Sequence, residues 1–179
     1  MINYAYYYQT EFLNQDELIE VNELLTKYKT KKDVLGAKHK KADSYNVEIN
    51  EHSPFLDKVN SRTHWVNNTE FGYDLYTNYI SGCNLNNYHN DDNEYDWHID
   101  SYPNGHKNDM KITMIINISL EEYTGGKFFL MPGHVVEVKE LEQPGSAIWF
   151  PSLTNHKVEP VTSGKRTSAS FWFSGPGFK

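Results

Sequence analysis

Apolar residues recur at helical spacing only in the first third of the chain. Leu18, Val21, Leu25 and Tyr28 fall on one helical face, so a helix is expected to start after Asn14. Asn14 can cap it, Glu17 stands at the third helical position for a capping box, and Leu13 and Leu18 are spaced as a hydrophobic staple. A second helix is expected from Ser53-Pro54, with Phe55, Leu56, Val59 and Val66 on its buried side. The polar stretch from Thr30 to Ser44 reads as a loop.

Beyond about residue 70 the period changes. Short runs of β-branched and aromatic residues alternate with Gly, Asn and Pro, which predicts strands near 73–80, 83–89, 95–100, 111–119, 127–131, 135–139, 146–150, 155–161 and 166–173. Turns are expected at Gly125-Gly126, Pro132-Gly133, Pro144-Gly145 and Ser163-Gly164. Many short strands at near-regular spacing indicate a mainly β barrel or jelly roll. The expected organisation is one domain, with a helical portion over about 1–68 flanking a β core over about 70–175.

At 179 residues the chain is long enough for one well-buried core. Thirteen Tyr and four Trp suit a wet cavity, because their rings give apolar bulk and their tips stay polar. A net charge of −7 argues against a nucleic-acid partner, and the short basic run at Lys38, Lys40 and Lys41 reads as a solvated loop. Cys83 is the only cysteine, which excludes an intrachain disulfide and a thiolate zinc cluster. No run suggests a signal peptide or a bilayer span, so the expectation is a cytoplasmic chain without a membrane partner. Oligomeric state is not legible.

His98-Ile99-Asp100 places an imidazole and a carboxylate on the same side of an extended segment, about 7 Å apart at the backbone. His156, after the apolar strand 146–150 and a short loop, can return a second imidazole. Two neutral nitrogens and one carboxylate leave open positions on a metal, the donor set of non-haem iron(II) oxygenases. Arg166 supplies a planar fork for a carboxylate. A hairpin centred on Ser163-Gly164 would put it on the strand beside His156, displaced by roughly 16 Å.

In order along the chain stand Tyr95-Asp-Trp-His98-Ile-Asp100, the segment Gly145-Ser-Ala-Ile-Trp-Phe150, then His156, then Gly164-Lys-Arg166. This series resembles the 2-oxoglutarate/Fe(II) oxygenase superfamily, most of all its prolyl 4-hydroxylase-like branch, over about residues 71–175. The resemblance implies a double-stranded β-helix (a cupin-like jelly roll) with flanking N-terminal α-helices. It makes His98, Asp100 and His156 iron ligands, and Arg166 the partner of the distal carboxylate of 2-oxoglutarate. Tyr88 matches a cosubstrate-binding position, and Asn117 stands where some relatives carry a second such contact. Tyr95 belongs to the ligand motif, and Trp172 matches an aromatic lining the substrate pocket. Ser168 shares a strand face with Arg166 and is a further cosubstrate candidate.

The implied reaction is an Fe(II)-, 2-oxoglutarate- and O2-dependent hydroxylation that releases succinate and CO2. Its expected substrate is a peptide or protein side chain, with proline one candidate. The alternatives are hydroxylation of a free amino acid or small metabolite, a non-catalytic cupin-like metal-binding module, and a zinc hydrolase. The acidic segment 90–94 is a candidate lid that would favour a basic peptide, with a second rim at 102–105.

Overall fold

In the computed structural model, residues 5–32, 40–49, 52–77, 80–89, 93–103 and 107–178 are described. Helix α1 (Gln15–Lys27) begins where the capping pattern places it. The Asn14 side chain accepts from the Glu17 N–H at 3.0 Å, and the Glu17 carboxylate accepts from the Asn14 N–H at 2.9 Å. Helix α2 (Pro54–Val66) starts with proline in its first turn. Ser53 holds the N-cap position, although its hydroxyl makes no capping bond. Lys58 Nζ reaches Glu17 Oε1 at 2.6 Å and ties the two helices together. No helix among the described residues is long and apolar enough to cross a membrane.

The described residues form twelve strands, in chain order β1 (Tyr7–Gln9), β2 (Lys29–Lys32), β3 (Asp43–Glu48), β4 (Gly82–His89), β5 (Tyr95–His98) and β6 (Asn108–Asn117). Then come β7 (Tyr123–Gly125), β8 (Phe128–Met131), β9 (Val136–Glu137), β10 (Ala147–Pro151), β11 (Asn155–Val158) and β12 (Val161–Pro176). The large sheet runs β1-β10-β6-β12-β4-β3-β2, with β7 paired to β12, and the small sheet runs β5-β11-β8-β9. This is the mainly β jelly roll that the strand pattern predicts.

Strand alternation decides which face meets what. Cys83 and Leu85, Ile112, Met114 and Ile116, Ala147 and Trp149, and Ala169, Phe171 and Phe173 turn outward onto α1 and α2. Each of the Leu, Ile, Met and Phe side chains among these, when fully buried, contributes roughly 1.5–3 kcal/mol of apolar transfer. The opposite face of the same strands looks toward the small sheet. Part of it packs with Phe128, Leu130 and Val158. The rest carries Asn84, Asn86, Ser168 and Ser170 into a cavity.

Several boundaries differ from the expectation. The supposed helical portion contains β1, β2 and β3, all joined to the large sheet. Lys29–Lys32 and Asp43–Glu48 are strands where a loop was expected, and residues 33–39 lie outside the described residues. The predicted strand over 73–80 is irregular at 73–77 and at 80, while 78 and 79 are outside the described residues. There, side-chain amides take over from a strand partner. Asn67 bonds both the N–H and the carbonyl of Tyr73, and Asn60 accepts from the Ile80 N–H. The strand expected over 135–139 is only two residues long, and 139–142 coil into a 3-10 turn that buries Leu141.

The hairpin expected at Ser163-Gly164 is absent. Both residues lie inside β12, where Gly164 has φ 71° and the register against β7 shifts. The chain instead crosses between sheets at Glu159-Pro160, where proline cannot continue a ladder. His156 therefore sits in the small sheet and Arg166 in the large one.

Candidate metal and cosubstrate site

His98 ends β5, and its register partner on the adjacent strand β11 is His156. Their ring centroids are 4.0 Å apart. Asp100 follows past the end of β5, and its N–H donates to the Ser152 carbonyl at 3.0 Å. One ligand atom from each of His98, Asp100 and His156 falls within 4.8 Å of the others. His98 Nε2 is 3.6 Å from Asp100 Oδ1, and His156 Nε2 is 3.7 Å from Asp100 Oδ2.

The imidazoles are oriented from behind. His98 Nδ1 lies 2.7 Å from the Asp96 carbonyl, and His156 Nδ1 lies 3.0 Å from the Thr154 carbonyl. A carbonyl only accepts, so each Nδ1 carries the hydrogen and each Nε2 lone pair faces the shared centre. Burial, with the nearby His156 next in effect, pushes the His98 pKa down to about 4. That ring is therefore neutral and available as a donor at neutral pH. Tyr95 stacks on it at 3.5 Å and 12°, and Phe150 meets the His156 ring edge-on at 4.8 Å.

A cavity of about 490 Å³ opens over this cluster, between the two sheets. Arg166 lines it from β12, next to Tyr88, its register partner on β4. Arg166 is 1% exposed. Among the described residues it pairs with no carboxylate, and Nη1 makes only a long 3.4 Å bond to Ser168 Oγ. A buried, unpaired guanidinium costs several kcal/mol, a cost that an anion in the cavity would offset. Tyr88 is also buried, which raises its pKa to about 12 against a smaller lowering by Arg166, and its hydroxyl remains a donor. Gly126 gives Arg166 its room: at φ 61° it has no side chain, and a Cβ there would stand 2.8 Å from Arg166 Cδ.

Tyr88, Tyr95, His98, Asp100, His156, Arg166, Ser168 and Trp172 all line this one cavity. Trp172 Nε1 is buried there and has no hydrogen-bond partner among the described residues. Asn117 is the exception. Its side-chain nitrogen donates to the carbonyls of Leu141 and Glu142 and to Tyr123, while its oxygen accepts from the N–H and hydroxyl of Ser119. It does not line the cavity, and its polar capacity is used in fastening the 3-10 turn. The expected cosubstrate contact at this position is corrected on that ground.

Other participants had no signal in the chain. Lys40, read as part of a solvated run, reaches the cavity wall and sits 5.0 Å above the Tyr95 ring. Thr113 donates to Asp100 Oδ2 at 2.7 Å from the middle of an apolar strand. The acidic lid lies mostly outside the described residues at 90–92, and Glu94 is held by Lys41 at 2.6 Å. Of the second rim, 104 and 105 are outside the described residues, whereas Tyr102 is exposed at the cavity edge.

Two imidazole nitrogens and a carboxylate oxygen fit a divalent iron, and the unpaired guanidinium fits a dicarboxylate beside it. The fold and the site thus define a jelly-roll protein with a two-histidine, one-carboxylate centre. Residues 83–174 match the family described as the 2OG-Fe(II) oxygenase superfamily. The chain belongs to that superfamily, whose chemistry uses Fe(II), 2-oxoglutarate and O2.

Among sequence relatives, a PKHD-type hydroxylase of Acaryochloris marina is 39% identical over 79 residues, 44% of this chain and 35% of the relative. The matched stretches span between 29% and 40% of the curated relatives' own lengths. Among solved structures, the viral collagen prolyl hydroxylase of Paramecium bursaria Chlorella virus-1 superposes with a TM-score of 0.74 at 18% identity, covering 96% of this chain and 97% of that one. A prolyl hydroxylase of Trichoplax adhaerens, solved with a hypoxia-inducible-factor peptide fragment, gives 0.70 at 16% identity, covering 94% and 83%. At these identities the likeness is one of fold.

Proposed function

We propose that this chain is an Fe(II)- and 2-oxoglutarate-dependent hydroxylase acting on a peptide or protein side chain, with proline the leading target. The observation that carries the reading is the buried Arg166, without a carboxylate partner, in the same cavity as the His98, Asp100 and His156 cluster. In this reading the three clustered side chains hold the iron. Arg166, with Ser168 and Tyr88 beside it, holds the distal carboxylate of 2-oxoglutarate.

Bound iron would supply the redox chemistry that couples O2 and 2-oxoglutarate consumption to substrate hydroxylation, with succinate and CO2 as co-products. The chain's own part is orientation and exclusion of water. Phe128, Val158 and Ile115 form a dry wall of the cavity, and Phe150 backs His156. Asn84, Asn86 and Ser170 form a polar wall, and Trp172 Nε1 offers a hydrogen to a substrate oxygen. The hydroxylase reading is supported by the names of the sequence relatives, and the peptide reading by the peptide fragment in the Trichoplax prolyl hydroxylase structure. Glu94 is paired with Lys41, and Lys40 stands at the cavity wall.

The test is succinate release over proline-containing peptides of either charge and free amino acids, with products read by mass. Peptide-dependent succinate with a mass gain of one oxygen on the peptide supports the proposal. Coupled turnover confined to free amino acids would reassign the substrate class.

A further inference from the structure

Ser152 is fully buried in the turn between β10 and β11, and its carbonyl, N–H and hydroxyl hydrogen are all engaged. Its carbonyl accepts from the N–H of Asp100 at 3.0 Å and of Ser101 at 3.1 Å, while its own N–H donates to the Lys111 carbonyl at 3.0 Å. Its hydroxyl lies 3.0 Å from Thr113 Oγ1. Thr113 Oγ1 in turn lies 2.7 Å from Asp100 Oδ2.

The direction of this chain follows from hydrogen counting. An ionised carboxylate only accepts, so the single Thr113 hydroxyl hydrogen goes to Asp100. The Ser152 hydroxyl must then donate to Thr113. Both hydroxyls are thereby fixed in one sense, each polarising the next in a buried setting where such chains strengthen. Asp100 is gripped at its backbone and at Oδ2 by one residue and its relay. Oδ1 is left with no hydrogen bond from the described residues and stands 3.6 Å from His98 Nε2, while Oδ2, the oxygen that Thr113 engages, stands 3.7 Å from His156 Nε2.

We infer that Ser152 and Thr113 are positioning residues: acting as a relay, they hold Oδ2 of Asp100 and so fix the carboxylate's orientation, leaving Oδ1 free of hydrogen bonds for the metal. This deepens the reading of the site given above and rests on it. The same turn supplies the Thr154 carbonyl that orients His156. One four-residue turn, closed by the Thr154 N–H on the Pro151 carbonyl at 2.8 Å, thus sets two of the three candidate ligands. Freed from Thr113, the carboxylate can rotate and present both oxygens, taking up a position that the cosubstrate needs.

The experiment uses the whole chain and two probes, Co(II) by its visible spectrum and Fe(II) by competition with a chelator. Thr113→Val keeps shape and volume but removes the donor. It is expected to change the Co(II) band pattern and weaken Fe(II) binding on the order of 10- to 100-fold, the usual cost of losing a partner of a metal ligand. Thr113→Ser, which keeps the hydroxyl, should restore both readouts, and Ser152→Ala should give a smaller change in the same direction. A merely structural role would lower the melting temperature of Thr113→Val without altering the Co(II) spectrum. That result, or an unchanged Fe(II) affinity in Thr113→Val, would overturn the inference. If the unaltered chain binds Co(II) with these variant effects but no 2-oxoglutarate, the positioning role stands and the oxygenase reading falls.

Discussion

The guanidinium carbon of Arg166 lies 5.4 Å from the centre of the Tyr88 ring, on neighbouring strands whose Cα atoms pair in register. This contact closes one end of the cavity with a positive charge over an aromatic face and a neutral hydroxyl beside it. Replacing Arg166 with Leu removes a charge-assisted contact from a buried carboxylate, a loss on the order of 2–5 kcal/mol. Isothermal titration should show 2-oxoglutarate affinity falling tens- to thousands-fold with Fe(II) affinity largely kept. Unchanged 2-oxoglutarate binding would contradict the assignment.

Tyr88 makes a pH prediction. Burial raises its pKa from 10.0 to about 12, so the hydroxyl keeps its hydrogen through neutral and mildly alkaline solution. Any dependence of 2-oxoglutarate affinity on Tyr88 ionisation should therefore be absent near pH 10 and appear only toward pH 12. Comparing Tyr88→Phe with the unaltered chain across that range isolates its share. A break near the ordinary tyrosine value that vanishes in Tyr88→Phe would count against the buried geometry.

Gly126 is predicted to be intolerant of any side chain. Its φ of 61° disfavours one, and a Cβ would press on Arg166 Cδ at 2.8 Å and on Val161 at 2.9 Å. Gly126→Ala should cost about 1–3 kcal/mol in stability and weaken 2-oxoglutarate binding by displacing Arg166. Thermal melts and the same titration measure the two effects separately.

Asn117 should behave as a structural residue. Asn117→Ala strands the Leu141 carbonyl and the Ser119 N–H, costing on the order of 2–4 kcal/mol. The folded fraction should still bind 2-oxoglutarate with unaltered affinity. A selective loss of cosubstrate binding would restore the contact that the geometry denies.

What the chain discloses by itself follows local physics. The Asn14–Glu17 capping box and the alternation along β6 and β12 depend on neighbours three or two residues away, and both were legible. The short β1, β2 and β3 were not, because β1 pairs with the distant β10, and β3, on which β2 forms, pairs with the distant β4. The segment 73–77 has strand composition, but Asn67 captures its backbone, which composition cannot reveal. His98, Asp100 and His156 were recognisable from residue type and spacing, and they do converge. Arg166 lines the same cavity, but not by the hairpin geometry that the spacing suggests. It faces the cluster from the other sheet, because the chain switches sheets at Glu159-Pro160 instead of folding back at Ser163-Gly164. Thr113 and Ser152 left no trace, since a hydroxyl in an apolar strand and another in a turn carry no mark of meeting at Asp100.

The three clustered side chains should matter far more than the other histidines. His98→Ala or His156→Ala is expected to abolish Fe(II) retention and turnover, whereas the exposed His134 should be replaceable without either effect. Equilibrium dialysis of Fe(II) under anaerobic conditions measures this directly. Comparable losses at all three positions would mean that the metal is held elsewhere.

The central claim is that one cavity takes Fe(II) and 2-oxoglutarate together. Anaerobic titration of the metal-loaded chain with 2-oxoglutarate tests it by visible absorption. The account predicts a charge-transfer band that saturates at one equivalent in the unaltered chain and is lost at matched ligand concentration in Arg166→Leu. Fully loaded iron with no band at any 2-oxoglutarate concentration would contradict it.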